Sequence, residues 1–410
     1  MVYQPPIGAR DLLPVDVAQK RWIEERLQQV FHRWGYHRII TSTLERLDTL
    51  MAGGAVQRST VLQLQGSEED ELGLRPELTA SIARAAATRM GQGGYPLRFY
   101  YNANVFRRSP QSHFDRQQEF YQAGVELLGA GSLAADAEVL GLLRDCLQNL
   151  NLAGCHLVLG EAGLTRSLLS AFPEALRPQV REAIAHLDRL CLEQLPLSPE
   201  LRDRALMLLD LRGKPQDVLQ AVSALPLDAA QQEALMRLKS LVELLQDAME
   251  PASATAPSLV LDLSLIQTFD YYTGIVFEIV SSSDTGRRIL GQGGRYDQLL
   301  GLYHPTGDST PGIGFVFNLE ELHQALLPSG QLPLQPPAVD WLVVATTPQA
   351  IAAAFTHAQR LRKVDHPVCV EVELDMQQTP EAVRAYAGDR HIRQIAWVSA
   401  DHSVTIETLS

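Results

Sequence analysis

The sequence predicts an α+β protein: an antiparallel sheet flanked by helices, with a helical insertion and a small C-terminal α/β unit. Three observations carry this. Strand-like runs at 96–108 and 116–129 follow each other with only a short polar loop between them, as antiparallel neighbours do. Leucine- and alanine-rich helical spacing fills 163–250, and strand character then returns. Beyond 338, strands and helices alternate at short range.

Taken in order, residues 15–34 read as a helix, because Ile23, Leu27, Val30, Phe31 and Trp34 recur at helical spacing before Gly35 stops it. YHRIITSTLERLD then reads as a strand leading into a polar turn. At 74–90, LRPELTASIARAAATRM begins with an extended Arg75-Pro76 step and becomes helical. This puts Glu77 and Thr79 in the first turn, where they can reach a pocket floor. On the strand 116–129, residues two or four apart share a face, so Gln118, Gln122 and Glu126 go together. With Arg107 and Arg116 they make either one concave polar surface or a solvated sheet edge. A helix covers 133–148.

After the insertion, PASATAPS is a small-residue linker, and strands resume at 259–263 and 275–280. Asp270, Tyr271, Tyr272 and Thr273 sit at the entrance of the second of these strands. They read either as pocket residues or as a turn with two packed tyrosines. GQGGRYDQLL at 291–300 invites close backbone approach to a ligand or a tight turn. It has neither the strand–GxGxxG–helix order of a dinucleotide site nor a P-loop. PSGQLPLQPPA, 328–338, is a second linker. At 410 residues, two or three domains are expected. The predicted division is a core in two parts (1–162 and 251–327), an insertion (163–250) and a C-terminal unit (338–410).

Composition narrows the function class. Hydrophobic residues make up 46% and charged residues 20%, the balance of a globular protein. The net charge of -13 comes with no Lys/Arg block that would mark a nucleic-acid surface. Nothing resembles a membrane span or an N-terminal signal, so a cytoplasmic location is expected. Cys146, Cys155, Cys191 and Cys369 are scattered, with no CxxC pair, so no metal site and no disulfide framework is expected.

Several segments, in order, resemble the catalytic core of histidyl-tRNA synthetases, a class II aminoacyl-tRNA synthetase family. They are GARDLLP, LRPELT, NVFRR with RQQEFYQAGVELLG, FDYYTGIVFE, GGRYDQLLG and TPGIGF, spanning roughly 5–327. The resemblance implies a six-stranded antiparallel sheet that holds ATP and histidine. It implies that Glu77 and Thr79 receive the α-amino group, that Gln122 and Glu126 line the amino-acid pocket, and that Tyr272, beside Tyr271, bonds the imidazole. Glu126 and Tyr272 would then form an acid–hydroxyl pair for the two ring nitrogens.

The phosphate side departs from the family pattern. Arg107 and Arg116 remain, but Gln267 stands where the family has its catalytic arginine. Glu321 stands where motif 3 ends in arginine, and Arg108-Ser109-Pro110 leaves no glutamate for adenine. Phosphoryl chemistry needs fixed cationic clamps, so no catalytic residues are expected here.

This pattern is similar to a paralogous family, the regulatory subunits of short-form ATP phosphoribosyltransferase. That resemblance implies a subunit with no catalytic centre or cofactor of its own. Its partners would be a short catalytic subunit and a second copy of itself within a hetero-octamer, with L-histidine as effector in histidine biosynthesis. tRNA binding is not expected. VATTPQA at 344–350 lacks the glycine of a phosphoribosyl diphosphate loop, which places that site in the partner. Two other readings stay open: an active synthetase, in which Arg295 or Arg107 compensates for the lost arginines, and a synthetase-like binding module with another partner.

Overall fold

The computed structural model describes residues 5–6, 8–54, 56–64, 71–90, 94–108, 117–248, 256–266, 271–283, 286–364, 368–375 and 379–409. The chain forms two compact units. One comprises residues up to 11 with 20–332, and the other 12–19 with 333–410.

Helix α1 (Pro14–Arg33) precedes strands β1 (His37–Arg38) and β2 (Leu44–Arg46), helix α2 (Leu47–Met51), and strands β3 (Leu62–Gln63) and β4 (Leu72–Leu74). Helix α3 (Thr79–Ala85) continues as one π-helical stretch, Ala86–Met90. Then come β5 (Leu97–Phe106), β6 (Glu119–Leu128), α4 (Leu133–Asn149) and β7 (Cys155–Glu161). The predicted insertion holds α5 (Ala162–Leu169), α6 (Arg177–Ala185), α7 (Arg189–Gln194), α8 (Pro199–Asp210), the short strand β8 (Arg212–Gly213), α9 (Pro215–Ser223) and α10 (Ala229–Ala248). Strands β9 (Ser258–Asp262), β10 (Ile275–Ser283), β11 (Gly286–Arg295) and β12 (Gly312–Asn318) follow, and then α11 (Leu319–Leu326).

The large sheet has the order β1-β5-β6-β12-β11-β10-β7-β9-β8. Its six central strands, β5 to β7 in that order, are antiparallel to their neighbours. The outer pairings of β1 with β5 and of β9 with β7 are parallel. The expected six-stranded antiparallel sheet is therefore the middle of a nine-stranded mixed one. Period-two alternation splits the two faces. Ala123, Val125, Leu127, Phe277, Ile279, Ile313, Phe315 and Phe317 share one continuous apolar cluster with α1, α4 and the insertion helices. On β6 the alternate residues Gln122, Gly124 and Glu126 face the other way.

Some local readings change. The run after Gly35 is two short strands in different sheets, not one. β1 extends the large sheet, whereas β2 pairs with β4 in a small three-stranded sheet. Arg75 separates them, because its guanidinium donates to the carbonyls of Thr41 (2.9 Å), Ser42 (3.2 Å) and Asn104 (2.9 Å). Gly35 does end α1, with φ +77°, a left-handed value that suits glycine. The glycine cluster at 291–294 lies inside β11 rather than in a turn.

In the smaller unit, β13 (Trp341–Ala345), α12 (Ile351–Arg362), β14 (Val370–Val372), α13 (Pro380–Asp389), β15 (Gln394–Val398) and β16 (Val404–Thr408) alternate as predicted. The sheet order is β14-β13-β15-β16, with only β16 antiparallel.

Candidate functional site

The pocket is built on one row of residues across the large sheet. Register places Phe99 on β5 opposite Glu126 on β6, Glu126 opposite Gly314 on β12, Gly314 opposite Gly294 on β11, and Gly294 opposite Val276 on β10. Glycines flank the acid because larger side chains need their space. A Cβ on Gly314 would lie 2.7 Å from Glu126 Cδ, and one on Gly294 would lie 2.7 Å from the Tyr272 ring. On the next row, a Cβ on Gly124 would lie 2.6 Å from the Tyr101 hydroxyl. Close approach is thus the glycines' role, but to pocket side chains rather than at a turn.

Glu126 is 2% exposed. Its Oε1 accepts the Thr79 hydroxyl at 2.7 Å, and its Oε2 accepts the Tyr296 hydroxyl. Burial pushes its pKa up to about 8, although both hydroxyl bonds pull it down. Glu77 sits just ahead of α3, and its carboxylate accepts the N–H groups of Thr79 (2.6 Å) and Ala80 (2.9 Å). It therefore caps a helix whose first amides lack partners. Each oxygen keeps a second lone pair for a ligand. Burial raises its pKa, opposed by those two N–H bonds and by Arg107. Arg107 donates from Nε to the carbonyl of Pro76 at 2.8 Å. Burial lowers its pKa, opposed first by Glu77.

Tyr271 and Tyr272 share a side-chain hydrogen bond, with ring centroids 4.8 Å apart. Tyr296 meets Tyr271 edge-on at 5.8 Å. Burial raises the pKa of Tyr101, Tyr271, Tyr272 and Tyr296, so these phenols stay neutral at ordinary pH.

All six expected pocket residues, Glu77, Thr79, Gln122, Glu126, Tyr271 and Tyr272, line one cavity, and Arg107 lines it too. The cavity measures about 20 Å³, the space of about one water. A ligand of amino-acid size must displace side chains to enter. The donors and acceptors suit a small zwitterion: a buried carboxylate for an ammonium, a guanidinium for a carboxylate, and an acid with phenols for ring nitrogens.

The tyrosine that bonds Glu126 is Tyr296, whereas Tyr272 lines the same cavity and shares its side-chain hydrogen bond with Tyr271. One expectation fails. Arg295 is no spare cation: it is 2% exposed and bonded through Nε to Asp136 at 2.7 Å, with Asp297 at 3.0 Å from its Nη1. Glu321 lies in the first turn of α11, apart from the cavity lining, and pairs with Arg288 on β11 at 3.0 Å. Gln267 and Arg116 lie outside the described residues. Tyr101, Tyr296 and Gln292 also line the cavity but were missed from sequence. Tyr101 has a weak signal in its alternation with Phe99, but Tyr296 and Gln292 need the β11–β12 register.

The sequence model of the histidyl-tRNA synthetase family matches residues 8–322. Proteins named ATP phosphoribosyltransferase regulatory subunit from Trichormus variabilis and from Nostoc sp. PCC 7120 are each 64% identical to this chain, over 100% of both sequences. A crystal structure from Bacillus halodurans, described as an ATP phosphoribosyltransferase regulatory subunit/histidyl-tRNA synthetase, superposes with a TM-score of 0.80. It is 26% identical and covers 97% of this chain and 99% of its own. The histidyl-tRNA synthetase of Nostoc sp. PCC 7120 has a TM-score of 0.77 at 21% identity, over 99% of this chain and 97% of its own, a likeness of fold alone. The same strain thus supplies a 64% relative with the regulatory name and a 21% relative with the synthetase name.

Proposed function

The chain belongs to the ATP phosphoribosyltransferase regulatory-subunit family, built on the histidyl-tRNA synthetase fold, and from that premise we propose that it is a non-catalytic subunit. It activates a separate short catalytic subunit at the first step of histidine biosynthesis, in the cytoplasm, as a homodimer within a hetero-octamer. L-Histidine bound among Glu77, Gln122, Glu126 and Tyr272 carries the feedback signal. One observation supports this reading above the rest. The six amino-acid-side residues converge on one cavity, while Glu321, which by the resemblance replaces a phosphate-clamping arginine, is paired with Arg288. A pocket that keeps its amino-acid shell without its phosphate clamps suits binding used as a signal. Regulation then requires histidine to bind one state of the assembly better than the other.

The test is a histidine titration of the reconstituted complex. Glu126→Gln and Tyr272→Phe should each raise the histidine needed for inhibition by about 5- to 100-fold, with uninhibited activity little changed. Unchanged curves for both variants would move the effector site elsewhere. Histidine-dependent ATP–pyrophosphate exchange by the chain alone would favour the synthetase reading instead.

A further inference from the structure

We propose that Asp136 is a positioning residue for the tyrosine pocket: from outside the cavity, its carboxylate ties the helical insertion to Tyr296. Asp136 lies in the first turn of α4 and is 1% exposed. Its Oδ1 accepts Arg295 Nε at 2.7 Å and lies 2.6 Å from Nη2 of the same guanidinium. Its Oδ2 accepts Nη2 of Arg237, from α10 of the insertion, at 3.0 Å. Both arginines also grip the turn between β6 and α4. Arg295 donates from Nη1 to the Ala130 carbonyl at 3.1 Å, and Arg237 from Nη2 to the Gly131 carbonyl at 2.9 Å.

This cluster holds both partners of the Glu126–Tyr296 bond. Glu126 is near the end of β6, and the gripped turn follows that strand. Tyr296 is the residue after Arg295, and its N–H donates to the Gly312 carbonyl at 2.7 Å. The Arg295 carbonyl accepts the Thr273 N–H at 2.8 Å, and the Thr273 hydroxyl accepts the Asp297 N–H at 2.9 Å. The backbone on either side of Tyr296 is thus pinned. Buried ion pairs add little net stability, because desolvation offsets their attraction, but their directed bonds can fix how elements sit. Here they fix α10 against the end of β11, which aims the Tyr296 hydroxyl. A shift of α10 therefore reaches Tyr296 through Arg237, Asp136 and Arg295, three groups bonded in series. The placing of Tyr296 needs no ligand, while its consequence for effector affinity rests on the histidine proposal.

The experiment uses the full chain with fluorotyrosine in place of tyrosine, and the Tyr296 fluorine resonance is assigned by its absence in Tyr296→Phe. In the ligand-free protein, Arg237→Gln should move that resonance by more than its linewidth and leave that of Tyr386, in the smaller unit, in place. A loss of stability alone would not move a native-state resonance. Asp136→Asn should move it too; where that variant does not fold, Arg237→Gln, at a 45% exposed side chain, decides. Lys239→Gln removes an equal charge from the same helix, where Lys239 pairs with Glu243, and should leave the resonance unmoved. So should Glu161→Gln, which alters the other carboxylate that the Arg237 charge reaches. A second arm titrates L-histidine calorimetrically. Arg237→Gln should weaken binding by roughly three- to tenfold, but by less than about twofold in a Tyr296→Phe background, because the effect runs through that hydroxyl. An unmoved Tyr296 resonance in Arg237→Gln, an equal shift in Lys239→Gln or Glu161→Gln, or an equal loss of affinity with and without the Tyr296 hydroxyl would each overturn the role of Asp136. No histidine binding by wild type would overturn the histidine reading alone, and the fluorine resonance would still decide on Asp136.

Discussion

Glu126 holds its proton to a higher pH than an exposed glutamate does, because burial penalises the carboxylate more than two hydroxyl donors stabilise it. The consequence for stability has a definite sign. An unfolded glutamate titrates near 4.3, whereas the folded one titrates at about 8. The stability this site contributes is fully present below the lower value and is lost as pH rises through the upper one. Wild type should therefore lose stability relative to Glu126→Gln by roughly 3–4 kcal/mol between pH 5 and pH 8. Urea midpoints of both proteins across that range measure it, and parallel curves would contradict the buried-acid account. This residue was legible in the sequence because strand alternation pairs it with Gln122. Its partner Tyr296, 170 positions away, was not. A hydroxyl–carboxylate pair between β6 and the residue that follows β11 depends on strand register, which sequence spacing does not fix.

Elements show the same division. Long helices and the β5–β6 hairpin could be read from periodicity, since burial on one face writes a period into the chain. The split of the 36–48 run into β1 and β2 could not, because it depends on Arg75 reaching three carbonyls from two segments. The glycines of β11 and β12 were visible as a cluster, but their purpose lies in the neighbours they admit. That purpose predicts opposite signs for one substitution at two sites. Gly314→Ala places a methyl against the Glu126 carboxylate and the Val125 carbonyl of a central strand. It should cost about 2–3 kcal/mol of stability. Gly388→Ala, near the end of α13, meets nothing within 4 Å and gains helix propensity. It should be neutral or stabilise the smaller unit by up to about 1 kcal/mol. Denaturant midpoints followed in each unit test the pair. Equal small shifts would mean that the strand at 314 has room to spare.

At the scale of the whole molecule, the two units differ in how much apolar surface they bury. The larger unit carries an extended cluster that includes Phe31, Leu143, Phe277, Phe315 and Phe317, beside two smaller ones. The smaller has two thin clusters dominated by alanine and valine, such as Ala353, Ala354, Ala396 and Val343 on one side and Val344, Val383 and Ala387 on the other. Small side chains bury little area, and a small unit buries a smaller fraction of its surface, so its margin of stability is narrower. Unfolding should therefore occur in two steps rather than one. Hydrogen exchange should report amides of β13 and β15 opening at lower urea than those of β6 and β12. The pocket residues lie wholly in the larger unit. A ligand that binds only a folded site stabilises only the unit that carries it, by about 2.7 kcal/mol at a hundredfold excess over its Kd. Saturating histidine should thus raise the second transition and leave the first where it was. A single cooperative transition would refute the two-step expectation, and a histidine shift confined to the first transition would place the effector outside the tyrosine pocket.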